Sequence, residues 1–390
     1  MQIVKMDNQG RGITYYNDKI VFVNNALPNE DVDIFITLDK KKYSVANVTK
    51  YNKISNSRIE PKCKYYGICG GCQLEHISYS DEVDYKTNYL NDIFKSVGVK
   101  IERIVTDNDY NYRDKITLKV NKCIGFNKIN SNDIISIDKC MIADNLINDK
   151  IKYLKLIDTT NIKEVIIKSF DNKSMLVLNG SNPVDISKIS KYFDTIYINN
   201  KLVSGYRIIA TINNIKYYIA PNGFFQVNIS IAEKMFKYIK EICVNKKAER
   251  VLDLYCGCGS ISLFIADSVK YVHGIELNEQ SIRDANDNKE LNNITNVDFS
   301  CDTTDNIKDI NSFDTIIVDP PRSGLSKKVI NKLLSSKIKN IIYVSCDPIT
   351  LKRDLTYLKD KYNIESITTF DMFPNTYHVE NVATLTRISS

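Results

Sequence analysis

From residue 223 onward, short apolar runs rich in β-branched residues alternate with helical segments, and this alternation constrains the fold more than any other feature. Strands that alternate with helices predict a parallel sheet with crossover connections, and hence an α/β domain. Ligands of open α/β sheets bind at the carboxyl ends of the strands. Functional residues are therefore expected after the predicted strands, which are Arg250–Tyr255, Tyr271–Ile275, Val297–Ser300, Thr315–Val318, Ile341–Val344, Ile364–Thr369 and Ala383–Ile388.

Two polar turns directly follow predicted strands, Asp319–Arg322 and Ser345–Pro348. The first begins with a carboxylate and the second carries Cys346, so both groups are expected at the same edge of the sheet. A lone buried cysteine is usually an inert core residue. Cys346 differs because polar residues and a proline surround it, which indicates a nucleophile beside a substrate.

A second candidate site lies where the strand Val251–Tyr255 runs into a turn with Gly257 and Gly259. Glycines let the backbone approach a ligand closely, and Glu276 ends the next strand, where an acidic side chain binds ribose hydroxyls. The spacing favours a nucleoside-containing cofactor over a tight structural turn beside a surface glutamate. Ser262 occupies the third glycine position of the dinucleotide fingerprint, which argues against a nicotinamide.

Three cysteines, Cys63, Cys69 and Cys72, lie in one short glycine-containing segment, which is typical of a metal site. A fourth ligand must come from elsewhere in the chain, and Cys123 and Cys140 are both candidates. Iron–sulfur clusters and tetrahedral zinc both accept four cysteines. The residues alone leave both choices open.

The remaining sequence predicts three domains. Residues 1–52 show the alternation of a small β unit, residues 53–222 are mixed, and residues 223–390 carry the α/β pattern. A helical part near 81–97 is expected to pack on the α/β domain.

Composition and charge exclude some classes of protein. The N-terminus has no signal-peptide pattern and no run is long and apolar enough to span a membrane, so a cytoplasmic protein is expected. Its ten cysteines are then thiols or metal ligands rather than disulfides. A net charge of +6 permits a nucleic-acid partner without demonstrating one.

Six blocks of the C-terminal region resemble those of the RNA 5-methyluridine methyltransferase family. They are Phe224–Asn228, Asp253–Gly257, Gly274–Asn278, Asp319–Gly324, Tyr343–Pro348 and His378–Ala383. The resemblance implies a Rossmann-like domain that uses S-adenosylmethionine to methylate carbon 5 of uracil in RNA. It also implies the site residues, with the cofactor contacted by Gln226, Tyr255, Glu276 and Asp319, with Cys346 as nucleophile and with Glu380 as base.

The chemistry of that reaction explains why a thiol and a carboxylate are both needed. Carbon 5 of uracil is a weak nucleophile, and addition of a thiolate to carbon 6 activates it. A base must afterwards remove the proton left on carbon 5 so that the cysteine can leave. The target base must also be unstacked, which requires loop RNA or a flipped nucleotide.

The N-terminal half resembles the branch of this family that carries a TRAM domain, an OB-like β-barrel, in front of an α+β iron–sulfur domain. The likeness rests on Gly10–Ile13, on Val21–Pro28 and on the C-x5-C-G-G-C pattern of the clustered cysteines. It implies a [4Fe-4S] cluster with Cys140 as the fourth ligand and Cys123 as a core thiol, with zinc as the alternative metal. Asn29 stands where a glycine is usual, and asparagine tolerates the positive φ of such a turn.

Together these resemblances predict a monomeric RNA methyltransferase that acts on large-subunit (23S) ribosomal RNA. The tRNA-specific branch generally lacks both cluster and barrel, which favours ribosomal RNA. The alternative substrate is tRNA. An iron–sulfur nicotinamide oxidoreductase and an RNA-binding protein without catalytic activity are the alternatives from other classes. Ser262 argues against the oxidoreductase, and the presence of both Cys346 and Glu380 argues against the inactive protein.

Overall fold

A computed structural model describes residues 1–181, 184–307 and 309–388 of the chain. Their strands form a small N-terminal barrel, a central sheet and a large C-terminal sheet, each with its own apolar core. None of the helices formed by these residues has the length and apolar character that crossing a membrane requires.

The N-terminal barrel is a sheet of short strands that closes on itself. Its strands are β1 (Lys5–Met6), β2 (Gly12–Tyr16), β3 (Lys19–Asn24), β4 (Asp31–Asp39) and β5 (Tyr43–Lys53). They pair in the order β1-β2-β3-β5-β4, and the N–H of Val32 donates to the Met1 carbonyl at 3.0 Å, which joins the last strand of this order to the chain start. Asn29 has a φ of +70°, so asparagine adopts the left-handed turn expected at this position.

The central region follows the cysteine segment and is built on a largely antiparallel sheet. Its elements are α1 (Tyr79–Phe94), β6 (Ile104–Val105), β7 (Lys115–Asn121), β8 (Cys123–Asn127), β9 (Ile134–Ser136), α2 (Asn145–Ile151), β10 (Ile162–Phe170), β11 (Lys173–Gly180), β12 (Thr195–Ile198), β13 (Lys201–Ser204), β14 (Ile209–Ile212) and β15 (Ile215–Tyr218). The sheet has the order β13-β12-β11-β10-β7-β8-β9, while β14 and β15 form a separate hairpin. Helix α2 covers one face, where Ile147 and Ile151 join the core of this sheet.

The C-terminal domain is a sheet with helices on both faces. Its elements are α3 (Ile229–Asn245), β16 (Arg250–Leu254), α4 (Ser260–Ile265), β17 (Tyr271–Glu276), α5 (Glu279–Leu291), β18 (Val297–Cys301), β19 (Thr315–Val318), α6 (Lys327–Ser335), β20 (Asn340–Ser345), α7 (Pro348–Leu358), β21 (Tyr362–Phe370) and β22 (Glu380–Arg387). The order is β18-β17-β16-β19-β20-β22-β21-β6, parallel from β18 to β20 and closed by the antiparallel hairpin of β21 and β22. Because its central strands are buried on both faces, they appear in the sequence as continuous apolar runs.

Helices of this domain begin where a polar side chain can accept hydrogen bonds from free backbone N–H groups. Asn228 caps α3, Asn278 caps α5 and Ser326 caps α6. Asp347 caps α7 and is followed by Pro348 at the first helical position. Each cap directly follows a strand end or a turn, so the caps hold those turns in place.

Helix α1 and β6 belong to the packing of the C-terminal domain although they precede it in the chain. Leu90 and Phe94 of α1 are buried in the same core cluster as Ile316 of β19. Strand β6 pairs in parallel with β21, with Ile104 opposite Thr369. The chain between the cysteine segment and β7 therefore bridges the central sheet and the C-terminal sheet.

Candidate active site and cysteine cluster

All but one of the predicted site residues of the C-terminal domain meet at one edge of its sheet. Strand β16 pairs with β17 and β19, with Leu254 opposite both Ile275 and Val318. The residues that follow these partners are therefore neighbours, which places Tyr255 between Glu276 and Asp319. The edge continues across β20 and β22, so the predicted cofactor residues other than Gln226, the nucleophile and the base follow one another along it.

The pairing of β20 with β22 brings the predicted nucleophile and base together. Ser345 lies opposite Asn381 in this antiparallel register. Cys346 follows Ser345 and Glu380 precedes Asn381, so Cys346 lies beside Glu380. The Asn381 side chain reinforces the pair, because its Nδ2 donates to the Ser345 carbonyl at 3.3 Å. Cys346 keeps part of its surface exposed at this edge and does not lie in the packed core.

Helix α7 joins the Cys346 turn to the Asp319–Arg322 turn. The carboxylate of Asp347 accepts the N–H groups of Ile349 and Thr350, both at 3.0 Å, and so begins the helix directly after Cys346. Thr350 in turn donates to the Arg322 carbonyl at 3.1 Å.

The next turn of α7 holds the segment that follows Arg322. The fully buried Asp354 accepts the N–H of Leu325 at 2.8 Å and the Tyr343 hydroxyl at 2.7 Å through the same oxygen. Arg353 donates to the Ser323 carbonyl at 2.9 Å. One helix therefore sets the spacing between the two turns.

The glycine turn after β16 has room for a ligand. Tyr255 has a φ of +66° and its hydroxyl accepts a hydrogen bond from Thr304 at 3.1 Å. Glu276 accepts the N–H of Gly257 at 3.3 Å, so the acidic residue and the turn are already joined. A Cβ atom built on Gly257 meets nothing within 4 Å, whereas one on Gly259 would lie 2.7 Å from the Phe299 ring. The turn is packed on one side and open on the other.

Acidic groups dominate the electrostatics of this edge. Burial, reinforced by the negative charge of Asp253, raises the pKa of Asp319 to about 7. Burial likewise raises the pKa of Asp253 to about 7, and its Oδ1 has no hydrogen-bond partner among the described residues. Burial and the neighbouring Asp319 raise the pKa of Glu380 well above its usual value. A positive charge nearby stabilises the ionised form of such buried carboxyl groups, so the site suits a cationic ligand.

The negative charges of these carboxyl groups also affect the pKa of the Cys346 thiol. Burial raises its pKa to about 12, Glu380 and Asp319 add to the increase, and Arg322 opposes it. Since the thiolate is the reactive form, Cys346 needs a cationic partner to ionise at neutral pH.

Gln226 lies in the loop before α3, between two anchored residues. Phe225 is buried and packs edge-on against Phe170, with ring centroids 5.6 Å apart. Asn228 caps α3 and its Nδ2 donates to the Met372 carbonyl at 3.3 Å. Phe224 is 77% exposed, which leaves an unpaired aromatic ring next to Gln226.

The structure brings the cysteine segment and Cys140 together. The Lys64 ammonium and the Tyr65 hydroxyl both donate to Asp138, at 2.6 and 2.7 Å, and so tie the two segments. Burial raises the pKa of all four thiols, to about 11 for Cys140, and negative charge on neighbouring cysteines adds to the increase for Cys69, Cys72 and Cys140. Such mutual effects require the sulfur atoms to lie close to one another.

Backbone N–H groups are directed at the sulfur atoms. Gly71 donates to Cys69 Sγ at 3.4 Å, and N–H groups of Met141 and Ala143 lower the pKa of Cys63 and Cys140 respectively. Thiolate metal ligands accept hydrogen bonds of this kind. Within the ranges that the structure describes, no group of three or more His, Cys, Asp or Glu side chains is arranged around a point where a single metal ion would bind.

The expectation that Cys123 is a core thiol needs correction, because Cys123 begins β8 and is half-buried. Cys301 is exposed and ends the edge strand β18. An apolar sequence context does not distinguish the edge of a sheet from its centre.

A cleft of about 1540 Å³ separates the barrel from the central sheet. Phe22 and Tyr43 line its barrel side, and Lys119 and Lys128 line the opposite wall. The Cys69–Cys72 loop forms part of the wall, and Tyr377, three residues before Glu380 in the chain, also lines the cleft.

Sequence reasoning missed the residues that hold the active-site turns. Asp354 and Asn375 lie outside the six sequence blocks that resemble the methyltransferase family. Glu82 and Lys86 were visible as an i,i+4 pair on a predicted helix, but such pairs are usually solvated. In the structure both are buried and contact the loop before Glu380.

Buried carboxyl groups at the ends of the central strands are thus the main chemical feature of this sheet. The family model for tRNA (uracil-5-)-methyltransferases matches residues 184–388. A 23S rRNA (uracil(1939)-C(5))-methyltransferase of Legionella pneumophila is 33% identical over 98% of this chain and 96% of its own length. An uncharacterized RNA methyltransferase of Clostridium tetani is 31% identical over 99% of this chain and 95% of its own.

A solved structure agrees with these relatives. The tRNA (uracil-54, C5)-methyltransferase of Pyrococcus abyssi, in complex with S-adenosyl-L-homocysteine, is 26% identical, with a TM-score of 0.84 over 98% of both chains. The chain therefore belongs to the tRNA (uracil-5-)-methyltransferase family. It is an RNA uracil-C5 methyltransferase that uses S-adenosylmethionine.

Proposed function

We propose that this enzyme methylates carbon 5 of a uridine in 23S ribosomal RNA, with Cys346 as nucleophile and Glu380 as base. The observation that carries the assignment of the two residues is the register of β20 and β22, which makes Cys346 and Glu380 direct neighbours. A thiol and a carboxyl at one strand end match the two roles that carbon-5 methylation requires.

In the proposed mechanism the Cys346 sulfur forms a bond to carbon 6 of the uracil, and the electron pair of the C5–C6 double bond moves toward carbon 5 and the carbonyl at carbon 4. The cofactor, when bound, supplies the methyl group that carbon 5 accepts. Glu380 then removes the hydrogen of carbon 5 as a proton. The electrons of that C–H bond restore the double bond, the thiolate leaves, and Glu380 passes its proton to solvent.

We propose that Gln226, Tyr255, Glu276 and Asp319 bind S-adenosylmethionine. Glu276 is placed to accept the ribose hydroxyls, and Gly257 leaves open space beside it. Asp319 lies near Asp253, and the negative charges of the two carboxylates would attract the positively charged methionine end of the cofactor. The positive charge would also lower the pKa of Cys346, which links cofactor binding to thiolate formation.

The cleft between barrel and central sheet is the proposed path of the RNA. Aromatic rings such as Phe22 and Tyr43 stack on bases, and Lys119 and Lys128 neutralise phosphates. Tyr377 of the base-bearing loop also lines the cleft and precedes Glu380 by three residues in the chain, so an RNA strand held there would present a flipped uridine to the active site.

The clustered thiols support a [4Fe-4S] cluster on Cys63, Cys69, Cys72 and Cys140. A zinc ion needs four sulfur atoms about 2.3 Å from one point, whereas a cubane binds each cysteine through its own iron. The four thiols are half-buried and share raised pKa values, and their C-x5-C-G-G-C pattern, which resembles that of the iron–sulfur branch, favours the cluster over zinc. The cluster would order the cysteine loop that lines the cleft.

Ribosomal RNA is proposed over tRNA because the relative named as a 23S rRNA enzyme matches nearly the whole chain at 33% identity. The second candidate is tRNA, which the similar structure at a TM-score of 0.84 modifies according to its name. Mapping 5-methyluridine in both RNAs from a strain without this gene distinguishes them. Loss of a 23S site supports the proposal, and loss confined to tRNA contradicts it.

Two variants test the assigned chemistry. We expect Cys346→Ala to bind S-adenosyl-L-homocysteine normally but to methylate RNA at least about a thousandfold more slowly. Glu380→Gln should transfer the methyl group and then remain bound as a covalent protein–RNA adduct that survives denaturation. Normal turnover of either variant in a radiolabelled-methyl assay would overturn the corresponding role.

The metal is tested with a matched pair of cysteine variants. Protein purified without oxygen should contain iron and sulfide, absorb in the visible range and lose both ions in Cys140→Ala. Cys123→Ala removes the other candidate thiol and should keep the cluster. Zinc in place of iron, or loss of metal from Cys123→Ala alone, would contradict the assignment.

A further inference from the structure

The loop that precedes Glu380, residues 371–379, is here called the base loop. It joins β21 to β22, and Glu380 is the first residue of β22. A loop at the edge of a sheet is normally free to move, yet Asp371, Met372 and Asn375 are at most 4% exposed. What holds this loop also determines where the Glu380 carboxyl lies.

The base loop begins at a buried ion cluster. Lys86 of α1 donates to Glu82 at 2.6 Å and to Asp371 at 2.7 Å, and Tyr79 donates to the other Asp371 oxygen at 2.9 Å. The side chains of Lys86, Glu82 and Asp371 are no more than 2% exposed. The charges are therefore little screened, and the loss of one partner is costly.

Asn375 is the centre of the loop. Its N–H is accepted by both Glu82 oxygens, at 2.9 and 3.1 Å, and its side-chain Nδ2 donates to the Asp109 carbonyl at 2.7 Å. Its carbonyl accepts the N–H groups of Gln73 and Leu74, both at 3.0 Å. Every polar group of Asn375 except its side-chain oxygen is thus used by a residue far away in the sequence.

The backbone of Asn375 explains why this residue type occupies the position. Its φ is +65°, which asparagine and glycine adopt at little cost. Glycine would keep the backbone but lose the hydrogen bond to Asp109. The segment that contacts its carbonyl directly follows Cys72, so the cysteine loop and the base loop are joined through two main-chain hydrogen bonds.

We infer that Asn375, together with Glu82 and Lys86, is a positioning device that holds the base loop so that Glu380 reaches carbon 5 of the target uracil. The inference rests on the proposed role of Glu380 and adds residues outside the C-terminal domain to the reaction. These are positioning residues, since none of them touches the reacting atoms. Their loss should slow proton removal and leave the earlier bond formation by Cys346 unaffected.

The test separates the two steps of the reaction. Total RNA from a strain without the gene is mixed with full-length protein and cofactor carrying a radiolabelled methyl group. After denaturation and nuclease digestion, label on the protein reports stalled adduct, and label in free 5-methyluridine reports release. Asn375→Gly and Glu82→Gln are compared with Asp84→Asn, an exposed carboxyl-to-amide change on the same helix.

We expect adduct release to slow about 10- to 100-fold in Asn375→Gly and Glu82→Gln, with adduct formation and S-adenosyl-L-homocysteine affinity unchanged. Asp84→Asn should behave as the wild type. Asn375→Asp keeps the size and the positive φ but places an oxygen against the Asp109 carbonyl, and it should also stall.

Each other outcome has a definite meaning. If Glu380→Gln stalls but Asn375→Gly and Glu82→Gln release normally, the positioning role is overturned and the proposed function stands. If formation and release slow equally along with a lower melting temperature, the contacts are merely structural and the inference is wrong. If Glu380→Gln itself releases normally, the assignment of the base fails and the positioning role fails with it.

Discussion

The two halves of the active site are held in different ways. The nucleophile half, Cys346 with the Asp319–Arg322 turn, is fixed by α7, which follows Cys346 directly in the chain. The base half, Glu380 with the base loop, is fixed by α1 and by residues 73–112 of the preceding region. Contacts within the C-terminal domain build one half, and contacts with the preceding region of the chain build the other.

The difference shows where each half can fail. A defect in the C-terminal domain should impair bond formation at Cys346. A defect in the cysteine loop or α1 should impair release, even though these residues lie outside the fold that binds the cofactor. The positioning role that we infer would give the N-terminal half a part in the reaction itself.

The largest expected effect is on the stability of the nucleophile half. Asp354→Ala leaves the Leu325 N–H and the buried Tyr343 hydroxyl without an acceptor, which should lower the free energy of unfolding by about 2–4 kcal/mol. Asp354→Asn keeps an oxygen for both donors and should cost about 1 kcal/mol. Urea titration measures both, with the exposed Asp360→Asn as control. If both Asp354 variants lowered the free energy of unfolding equally, the oxygen that accepts the Leu325 N–H and the Tyr343 hydroxyl would be unimportant.

One variant of each half, Asp354→Ala and Asn375→Gly, tests whether the two halves are held independently. RNA transcribed with 5-fluorouridine has no removable proton at carbon 5, so covalent adduct formation with it reports only the nucleophile half. Asp354→Ala should slow this reaction, whereas Asn375→Gly should not. The opposite pattern would mean that the two halves are not held independently.

A smaller effect is expected on the reactivity of Cys346. Its pKa of about 12 makes the thiolate rare at neutral pH, so alkylation by iodoacetamide should become faster as pH rises toward that value. Arg322→Ala removes the charge that lowers this pKa and should slow alkylation at pH 8 up to about tenfold. Asp347→Asn removes a charge that raises it, keeps the helix cap and should speed the reaction. Mass spectrometry must resolve Cys346 from the exposed Cys301, and identical rates in both variants would contradict the electrostatic account.

The smallest effect concerns one hydrogen bond of the base half. The buried Tyr112 hydroxyl donates to the Pro374 carbonyl at 2.9 Å, so Tyr112→Phe should lower the free energy of unfolding by about 1 kcal/mol. It should also slow adduct release slightly without changing adduct formation. Tyr357→Phe, at an exposed position on α7, is the matched control. A slower formation step in Tyr112→Phe would contradict the separation of the halves.

Much of the C-terminal domain could be predicted from the sequence because its signals are local. A strand buried on both faces must be apolar, a turn at its end must be polar, and a helix start needs a cap. For this reason the predicted strand Thr315–Val318 has the observed bounds, and Ile341–Val344 lies within β20. Helix α5 likewise begins directly after a side chain able to cap it, Asn278.

The N-terminal half was harder to predict for a physical reason. Residues 1–52 showed only the alternation of a small β unit, because strands as short as β1 (2 residues) and β2 (5 residues) carry little periodicity. The roles of the four clustered cysteines, the domain limits, the monomeric state and the cytoplasmic location stay predictions.

By itself, the sequence determined the α/β class, the edge at which chemistry takes place and the residues that match uracil-C5 methylation. These depend on strand polarity and on motifs only a few residues long. Only the tertiary structure decided that Cys346 and Glu380 are neighbours, because β20 and β22 are separated in the chain by α7 and β21 and no short segment specifies their pairing. It also decided that Lys86 is buried against Asp371, since an i,i+4 pair on a helix looks the same in a sequence whether the chain covers it or leaves it in water.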